Sequence, residues 1–366
     1  MSQQPAPLAI SIIIPVRNGG PAFRECLASL ACTVPPPAEL IVVHDGEPAQ
    51  PDELPSHLDA RELSLPVRSG PGRARNLGAQ SAHGDILFFI DADVTVPPDA
   101  LAQVAAAFAR DPGLAALIGS YDDAPATPGF LSQYRNLAHH YVHQTASEES
   151  STFWGACGAV RRDAFLALGG FDERYREPSI EDIELGYRLR QAGHRIRLCK
   201  DLQVKHLKAW TLRSILRTDL FCRAVPWTQL ILRHPKLADD RKNLRFSSRI
   251  SVLLTGTLLL SLLAASFWPN SLFLSAFFAV SLLLINAPLY AFFWRKRGAA
   301  FALRAIPMHW LYYFCGGLGF VVGVLRHVAR RIASCPGNVT TKDSKEEKHG
   351  STQSSRATEA QREQEL

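Results

Sequence analysis

The sequence predicts an α/β domain followed by a membrane-embedded region. Two observations predict this. In the first 110 residues, short apolar runs rich in β-branched residues alternate with segments whose apolar residues recur at helical spacing. After residue 249, two long apolar stretches carry no charge. The chain has 366 residues, 47% of them hydrophobic, so it is long enough to bury a full core.

Three continuous apolar runs predict strands that are covered on both faces. They are LAISIIIP, ELIVVHDGE and the stretch ILFFI at 86–90. Helical spacing follows in FRECLASLAC and in PPDALAQVAAAFA, while GPGRARNLGAQSA predicts a loop that opens into a helix. Strands that alternate with helices imply right-handed crossovers and a largely parallel sheet.

Polar residues follow these strands at their carboxyl ends, where open α/β sheets bind ligands. Asp91 and Asp93 come directly after ILFFI. Two carboxylates two residues apart on an extended backbone project the same way. They suit a divalent ion that keeps waters and bridges to phosphate oxygens. The alternative is that one aspartate caps the next helix and the other is solvated, and the pair alone does not decide between them.

Four linked motifs together resemble the family 2 glycosyltransferases of the GT-A fold, over roughly residues 8 to 210. They are SIIIPVRNG, VVHDGE, GRARNLGAQSAHGDILFFIDADV and GACGAVRRDAFLALGGFDERYREPSIEDIELGYRLRQAGHRIRL. The resemblance implies a Rossmann-like mixed sheet, a nucleotide-diphosphate sugar across the strand ends, and Mn²⁺ or Mg²⁺ on its diphosphate. The continuation HLKAWTLRSILRTDLFCRAVPW resembles the membrane-attached bacterial members. Polysaccharide synthases carry QxxRW here, and its absence favours single-sugar transfer.

The resemblance also implies residues that bind the nucleotide sugar. Pro15 and Arg17 match positions that line the nucleotide pocket, and Asp45 matches the residue that reads the base. His44 replaces the usual preceding aspartate, which leaves the nucleobase open. Arg75 would contact the nucleotide or its phosphates. The alternatives are an ordinary Asp-Gly turn for Asp45 and a structural salt bridge for Arg75.

The metal ligands and the catalytic base are implied in the same way. Asp93 corresponds to the main metal ligand, and Asp91 to the residue that holds the ribose or bridges to the metal. His206 would complete the ligand set, unless it is an ordinary surface histidine. Asp182 corresponds to the general base that accepts the acceptor's proton, with a helix cap as the alternative. Glu181 would bind the acceptor or orient the base.

The C-terminal stretches predict a transmembrane hairpin. Residues 250–268 and 271–294 are each long enough to span a bilayer. Their link has no Lys or Arg, whereas RKRGAAFALR after the second is basic, so both ends of the hairpin should face the cytoplasm. A third stretch, 305–325, contains the pair Gly316-Gly317. We expect it to be re-entrant or interfacial and broken at these glycines, because a full crossing would place the following arginines outside.

Residues 210–233 predict an interfacial helix. Apolar residues fall at helical spacing, and Arg213, Arg217 and Arg223 lie elsewhere on the helical wheel, facing anionic headgroups. A helix of the globular domain is the alternative. The formal net charge of +6 is modest and its basic residues crowd near the membrane segments, which favours acidic lipid over nucleic acid as a partner.

These observations predict four regions. They are a cytoplasmic GT-A domain (1–205), a juxtamembrane segment (206–249), a membrane domain (250–331) and a disordered tail (332–366). The first residues lack a basic n-region and a cleavage site, so we expect no signal peptide. The seven cysteines contain no CxxC pair and fit reduced thiols.

The leading hypothesis is a metal-dependent, inverting glycosyltransferase of the inner membrane. It would be multi-pass, with its catalytic domain in the cytoplasm, and would transfer a sugar from a nucleotide sugar to a lipid or lipid-linked hydroxyl. Two alternatives are a nucleotidyltransferase, which would leave the helix that begins at Glu181-Asp182 without a function, and a catalytically silent membrane scaffold.

Overall fold

The computed structural model describes residues 8–46, 58–235 and 246–334. The chain divides into two compact units, Met1–His327 and Val328–Leu366. Within the second unit, residues 328–334 are helical. The rest of the tail predicted to be disordered lies outside the described residues.

The described residues form nine strands and eleven α-helices, with one π-helix between α7 and α8. The strands are β1 (Ile10–Val16), β2 (Glu39–Asp45), β3 (Arg61–Leu65), β4 (Ile86–Ile90), β5 (Val94–Thr95), β6 (Leu114–Tyr121), β7 (Glu149–Ser150), β8 (Cys157–Arg161) and β9 (Arg195–His206). The helices are α1 (Pro21–Ala31), α2 (Pro71–Ser81), α3 (Ala100–Arg110), α4 (Phe130–Thr145), α5 (Arg162–Ala167), α6 (Glu181–Gln191), α7 (Leu212–Arg217), the π-helix (Thr218–Ala224), α8 (Val225–Arg233), α9 (Phe246–Ala264), α10 (Ser271–Arg297) and α11 (Ala299–Ser334).

The strands form a mixed sheet in the order β3-β2-β1-β4-β8-β6-β9-β5, with β7 paired to β9. The first four of these strands are parallel, as the alternation of strands and helices predicts. Beyond β4 the sheet is mixed, as the resemblance implies: β8 runs antiparallel to both β4 and β6, whereas β6 and β9 are parallel. The sequence of β8, CGAVR, is rich in small residues and carries little strand signal.

The three predicted apolar strands lie in the core. Every residue of ILFFI is buried, and Ile12, Ile13 and Ile14 of β1 are completely inaccessible. Helices on the two faces bury Phe23 and Phe108 against the sheet. Full burial of one such side chain stabilises the fold by roughly 1.5–3 kcal/mol. This packing fixes the strand ends that carry the polar residues.

The helices α9, α10 and α11 are each long and apolar enough to cross a membrane. The first two form the predicted hairpin. Its helices are joined near one end by Ser261 and Ser275, whose hydroxyl oxygens lie 2.9 Å apart, and near the other by Asn286, whose amide donates to the hydroxyl of Ser251 at 3.1 Å. Short polar residues of this kind hold apolar helices together in lipid.

The predicted break at Gly316-Gly317 is wrong, because α11 is helical from Ala299 to Ser334. A continuous helix satisfies its own backbone hydrogen bonds, which an interrupted one in lipid does not. The glycines serve packing instead. A β-carbon on Gly317 would lie 3.3 Å from Cγ1 of Val252 in α9, so the small residue admits the neighbouring helix.

Successive parts of α11 contact different helices. His309 lies against Tyr290 and Tyr313 donates to Asn286, both in α10. Farther along, Gly316 and Gly317 meet α9, and two more glycines meet the π-helix and α8. The hairpin residues that α11 contacts, Asn286 and Tyr290 of α10 and Val252 of α9, all lie in the half of the hairpin that is nearer the α/β domain. We infer that α11 crosses the hairpin at this end.

The hairpin of α9 and α10 is attached directly to the α/β domain. Lys296, at the end of α10, forms an ion pair with Asp123 in the loop between β6 and α4. Arg297 donates to the backbone carbonyl of Asp123 at 2.8 Å and to the side chain of Gln133 at 3.0 Å. Tyr134 of α4 also packs in an apolar cluster with α10 and α11. The basic end of α10 is thus a docking point for the domain.

Candidate active site

Arg75 joins two of the predicted site residues. It lies on α2 with its side chain only 5% exposed. One guanidinium nitrogen, Nη2, donates to Oδ1 of Asp91 at 2.6 Å, and the other, Nη1, donates to Oε1 of Glu181 at 3.2 Å. Burial alone would lower the pKa of Arg75, but the two carboxylates outweigh it and raise that pKa. The salt bridge left open by the sequence is therefore present, and it brings the end of β4 to the start of α6.

Glu181 is the first residue of α6 and is buried. Its second carboxylate oxygen, Oε2, accepts from the backbone N–H of Ser179 at 2.8 Å. Both oxygens of Glu181 therefore accept hydrogen bonds from the protein. This fits the predicted orienting role better than direct contact with an acceptor.

Asp182 follows on the same helix and lies half-buried beside Glu181. Its Oδ2 accepts from the backbone N–H of Gly155 at 3.2 Å, and its Oδ1 accepts from the N–H of Ile183 at 2.8 Å. Burial raises the pKa of Asp182 to about 6, and the charge of Glu181 adds to the rise. A carboxylate with such a pKa can accept a proton near neutral pH.

The same cluster leaves little room for a side chain at Gly155. A β-carbon at this position would lie 3.0 Å from Cζ of Arg75. The backbone of Gly155 thus approaches the guanidinium on one side and the carboxylate of Asp182 on the other. Three chain segments meet at this point.

Asp93 and His206 lie side by side. Nε2 of His206 is 3.5 Å from Oδ2 of Asp93, because Val94 of β5 pairs in register with His206 at the end of β9. His206 is buried, which excludes the alternative that it is an ordinary surface histidine. Burial would raise the pKa of Asp93. The hydrogen bond to His206 and the charge of that residue outweigh burial, so the pKa of Asp93 is lowered.

The pair offers one carboxylate and one imidazole to a cation. Within the ranges that the structure describes, no group of three or more His, Cys, Asp or Glu side chains forms a ready metal site. Two protein ligands fit Mg²⁺ or Mn²⁺, which take further ligands from water and phosphate. Asp91 is partly engaged by Arg75 but keeps its side chain 34% exposed.

An aromatic cluster supports the ring of His206. Tyr121 stacks on it with ring centroids 4.6 Å apart and an interplanar angle of 12°, and Trp154 meets Tyr121 edge-on at 4.7 Å. Burial lowers the pKa of His139 in this cluster and lowers that of His143 to about 4. Both histidines are therefore neutral at pH 7, so the cluster adds no positive charge.

The predicted nucleotide-binding residues lie at the same edge of the sheet. Asp45, at the end of β2, accepts from the backbone N–H groups of Ser69 at 2.6 Å and Gly70 at 2.9 Å. The carboxylate thus closes the loop before α2, which is a structural role. Pro15 lies opposite Val43 in the parallel pairing of β1 and β2. Arg17 follows, exposed, at the level of Asp45.

A π-helix that the sequence pattern does not predict, Thr218–Ala224, is linked to the loop before α6. Pro226 has no N–H group to donate to the carbonyl of Cys222 four residues earlier. That carbonyl instead accepts from the hydroxyl of Ser179 at 2.7 Å. The π-helix is thereby tied to the loop that leads into Asp182. The available signal was Pro226 inside an otherwise helical pattern, because a proline breaks the regular α-helical hydrogen bonding at that point.

Arg223, in this π-helix, does not face outward with the exposed Arg213 and Arg217 as predicted. Burial raises the pKa of both Asp182 and Tyr121, and the positive charge of Arg223 opposes the rise in each.

The chain is similar in sequence to known proteins. The family model described as Glycosyl transferase family 2 matches residues 11–169. The pre-mycofactocin glycosyltransferase of Mycobacterium tuberculosis is 30% identical over 241 residues, which cover 62% of this chain and 48% of that protein. The chain thus spans about half the length of this relative.

Two other relatives are covered more fully. The O-antigen chain rhamnosyltransferase RfbN of Salmonella typhimurium is 25% identical over 61% of this chain and 75% of its own length. The glucosyl-dolichyl phosphate glucuronosyltransferase of Haloferax volcanii is 25% identical over 60% of this chain and 76% of its own length. Among solved structures, the mannosyltransferase PcManGT from Pyrobaculum calidifontis, in complex with GDP-Man and Mn²⁺, matches with 17% identity and a TM-score of 0.47, covering 89% of each chain.

Proposed function

We propose that this chain, whose residues 11–169 match the model of Glycosyl transferase family 2, transfers a sugar from a nucleotide-diphosphate sugar to a lipid or lipid-linked hydroxyl at a membrane. The observation that carries the proposal is the bridge made by Arg75 between Asp91 and Glu181. It places the strand end that would hold the donor beside the helix start that carries Asp182.

Asp182 is the proposed general base. Its raised pKa suits proton transfer from a hydroxyl. As the acceptor oxygen attacks the anomeric carbon, its proton passes to the carboxylate of Asp182, and the bond from the sugar to the nucleoside diphosphate breaks on the opposite face. This in-line displacement inverts the anomeric configuration. The amide of Gly155 and the neighbouring Glu181 hold the base in place.

Asp93 and His206 would hold Mn²⁺ or Mg²⁺, with Asp91 close by. The ion would neutralise charge that builds up on the departing diphosphate. The site residues themselves orient the ligands: Arg75 fixes Asp91, and stacking on Tyr121 fixes the imidazole of His206. Pro15, Arg17 and Asp45 would border the nucleotide.

The membrane assignment rests on three helices that are long and apolar enough to cross a bilayer and on their attachment to the α/β domain. In this proposal, residues 1–205 form the catalytic domain, 206–249 the juxtamembrane segment and 250–331 the membrane domain, with the catalytic domain in the cytoplasm. The relatives named for O-antigen chains and for glucosyl-dolichyl phosphate are consistent with a lipid-linked acceptor.

The test uses the detergent-solubilised full chain with UDP- and GDP-sugars, Mn²⁺ and a bacterial lipid extract. We expect a sugar-bearing lipid and a free nucleoside diphosphate. Asp182→Asn should abolish transfer and spare donor binding. Release of pyrophosphate would instead identify a nucleotidyltransferase. Nucleotide binding without any product in the wild-type protein would indicate the silent scaffold.

A further inference from the structure

We propose that Ser179 is a positioning residue that links the π-helix to the proposed general base. Its two polar groups bind in opposite directions: the backbone N–H holds Glu181, next to Asp182, and the hydroxyl holds the π-helix. Movement of the π-helix would therefore be transmitted to the start of α6. The inference rests on the proposed function for the role of Asp182, whereas the link itself is a feature of the fold.

Ser179 holds Glu181 through its backbone. The N–H of Ser179 donates to Oε2 of Glu181 at 2.8 Å, and Arg75 donates to the other oxygen, Oε1, at 3.2 Å. Ile180, the N-cap of α6, lies between them and has an apolar side chain that cannot cap the helix. The orientation of Glu181, and of Asp182 after it, therefore depends on where Ser179 lies.

The hydroxyl of Ser179 reaches away from α6. It donates to the backbone carbonyl of Cys222 at 2.7 Å, which joins two residues that are 43 positions apart in the chain. Pro226 cannot donate to this carbonyl in the way that an α-helix requires. Among common side chains, only serine and threonine carry a hydroxyl that is this close to the backbone. The residue type at position 179 therefore matters for the link.

Apolar packing accompanies this hydrogen bond. Ile180 is fully buried and forms a cluster with Tyr187 of α6 and Leu230 of α8. Thus α6 packs on α8, the helix that follows the π-helix. Ser179 makes its hydrogen bond at the end of this contact that carries Asp182. The start of α6 is therefore supported by the segment after β9 and by α2 together.

The π-helix is itself held from two directions. Asp219, at its start, forms an ion pair with Arg135 of α4 at 2.6 Å, and their side chains are 3% and 13% exposed. At its end, Ala224 contacts α11 so closely that a β-carbon on Gly319 would lie 2.3 Å from its own β-carbon. Because α11 is long and apolar enough to cross a membrane, a shift of this helix would reach Ser179 through a buried segment.

The first experiment compares Ser179→Ala and Ser179→Thr in the detergent-solubilised full chain. Loss of the hydroxyl should lower kcat roughly threefold to tenfold, which is what one hydrogen bond is worth. Binding of UDP and GDP with Mn²⁺ should stay unchanged. Ser179→Thr keeps a hydroxyl and should restore most of the rate. Ser281→Ala is the control, because this hydroxyl donates to a backbone carbonyl within α10, and it should behave like the wild-type protein.

Two results of this comparison would overturn the proposal. One is an equal kcat in the wild-type protein and in Ser179→Ala. The other is a loss of nucleotide binding in Ser179→Ala that matches the loss of kcat, because it would indicate a general structural defect rather than a displaced base.

Hydrogen–deuterium exchange measures the link without requiring sugar transfer. Gly319→Ala forces Ala224 away from α11, so the amides of residues 179–185 should exchange roughly threefold faster or more, as they should in Ser179→Ala. Gly256→Ala is the control, because a β-carbon at Gly256 has no atom within 4 Å. Unchanged exchange of residues 179–185 in Gly319→Ala would overturn the proposal.

The double variant Ser179→Ala/Gly319→Ala tests whether the movement passes through Ser179. Its exchange at residues 179–185 should increase by less than the product of the two single increases, because both changes break the same connection. Increases that multiply would show independent effects and would contradict the link.

The two measurements also separate this inference from the proposed function. Exchange that depends on Ser179, in a protein that transfers no sugar to any acceptor, would keep the link and reject the glycosyl transfer. Sugar transfer at the same rate with and without the hydroxyl of Ser179 would keep the glycosyl transfer and reject the positioning role.

Discussion

Nη1 of Arg75 lies 3.2 Å from Oε1 of Glu181, and both side chains are almost fully buried, at 5% and 6% exposure. This pair joins α2 to α6 through the middle of the candidate site. Because the same guanidinium also binds Asp91, the geometry of the acidic residues is built into the fold before any ligand arrives.

Replacing Arg75 with methionine should destabilise the α/β domain. The change leaves the buried Glu181 carboxylate without its partner, and breaking a buried pair in this way costs about 3 kcal/mol or more. We expect a clearly lower thermal midpoint, measured by intrinsic fluorescence in detergent. Arg174→Met is the matched control, since Arg174 pairs with Asp172 while its own side chain is 79% exposed. Equal midpoints for the two variants would contradict the structural role of Arg75.

Activity should depend on the ionisation of Asp182. Its pKa is raised to about 6, first by burial and then by the charge of Glu181. A base must be deprotonated to act, so kcat/KM should rise about tenfold per pH unit below pH 6 and level off above it. Glu181→Gln removes a charge that raises this pKa, so the rising limb should move to lower pH. A profile that stays flat from pH 5 to 8 would count against Asp182 as the base.

The control for this profile is Glu148→Gln. Glu148 forms an exposed pair with Arg197 and should leave the position of the limb unchanged. A shift of equal size in both variants would indicate a general effect of net charge. Asp182→Asn should reduce kcat by a factor of roughly 10² to 10⁴ on the plateau above pH 6 and should remove the rising limb.

Chelation of divalent cations should abolish transfer, and Mn²⁺ should restore it. In Asp93→Ala and His206→Ala, the Mn²⁺ concentration for half-maximal UDP binding should increase, because each variant removes one of the two proposed ligands. Asp201→Ala, an exposed residue of the same strand as His206, should behave like the wild-type protein. Binding of UDP that is equally tight with and without Mn²⁺ would contradict the metal site.

Gly319→Leu should disturb the docking of α11. Its β-carbon would lie 2.3 Å from that of Ala224, so the helices must move apart. We expect a lower thermal midpoint and a raised KM for the lipid acceptor. Gly256→Leu is the control, because a β-carbon at Gly256 has no atom within 4 Å and faces open space. The same loss of stability in both variants would argue against the close packing at Gly319.

The sequence predicted much of this structure. Continuous apolar runs such as ILFFI predict buried strands because no solvent-facing side is left. The carboxyl ends of such strands meet at one edge of the sheet, so Asp45 and Asp91 could be expected there. The absence of charge over long stretches was sufficient to predict α9 and α10.

The errors have physical causes. The third stretch was expected to be broken at its glycine pair because a full crossing would place the following arginines outside, and glycine does weaken helices in water. In an apolar environment the same residues allow close helix contacts. The direction of Arg223 was predicted from an ideal helical wheel, which assumes 3.6 residues per turn. Arg223 lies in a π-helix, which has a different number of residues per turn. The proximity of His206 to Asp93 was expected only from the family resemblance, because the two-residue strand β5 that aligns them is too short to leave a periodic signal.

The attachment of Lys296 and Arg297 to the loop after β6 has a geometric consequence. Because the end of α10 is bound to the α/β domain, the proposed membrane arrangement would fix the height of Asp182 above the bilayer surface. A fixed height would select substrates by length. Headgroups that project too little would not reach the proposed base, and those that project too far would carry their hydroxyl past it.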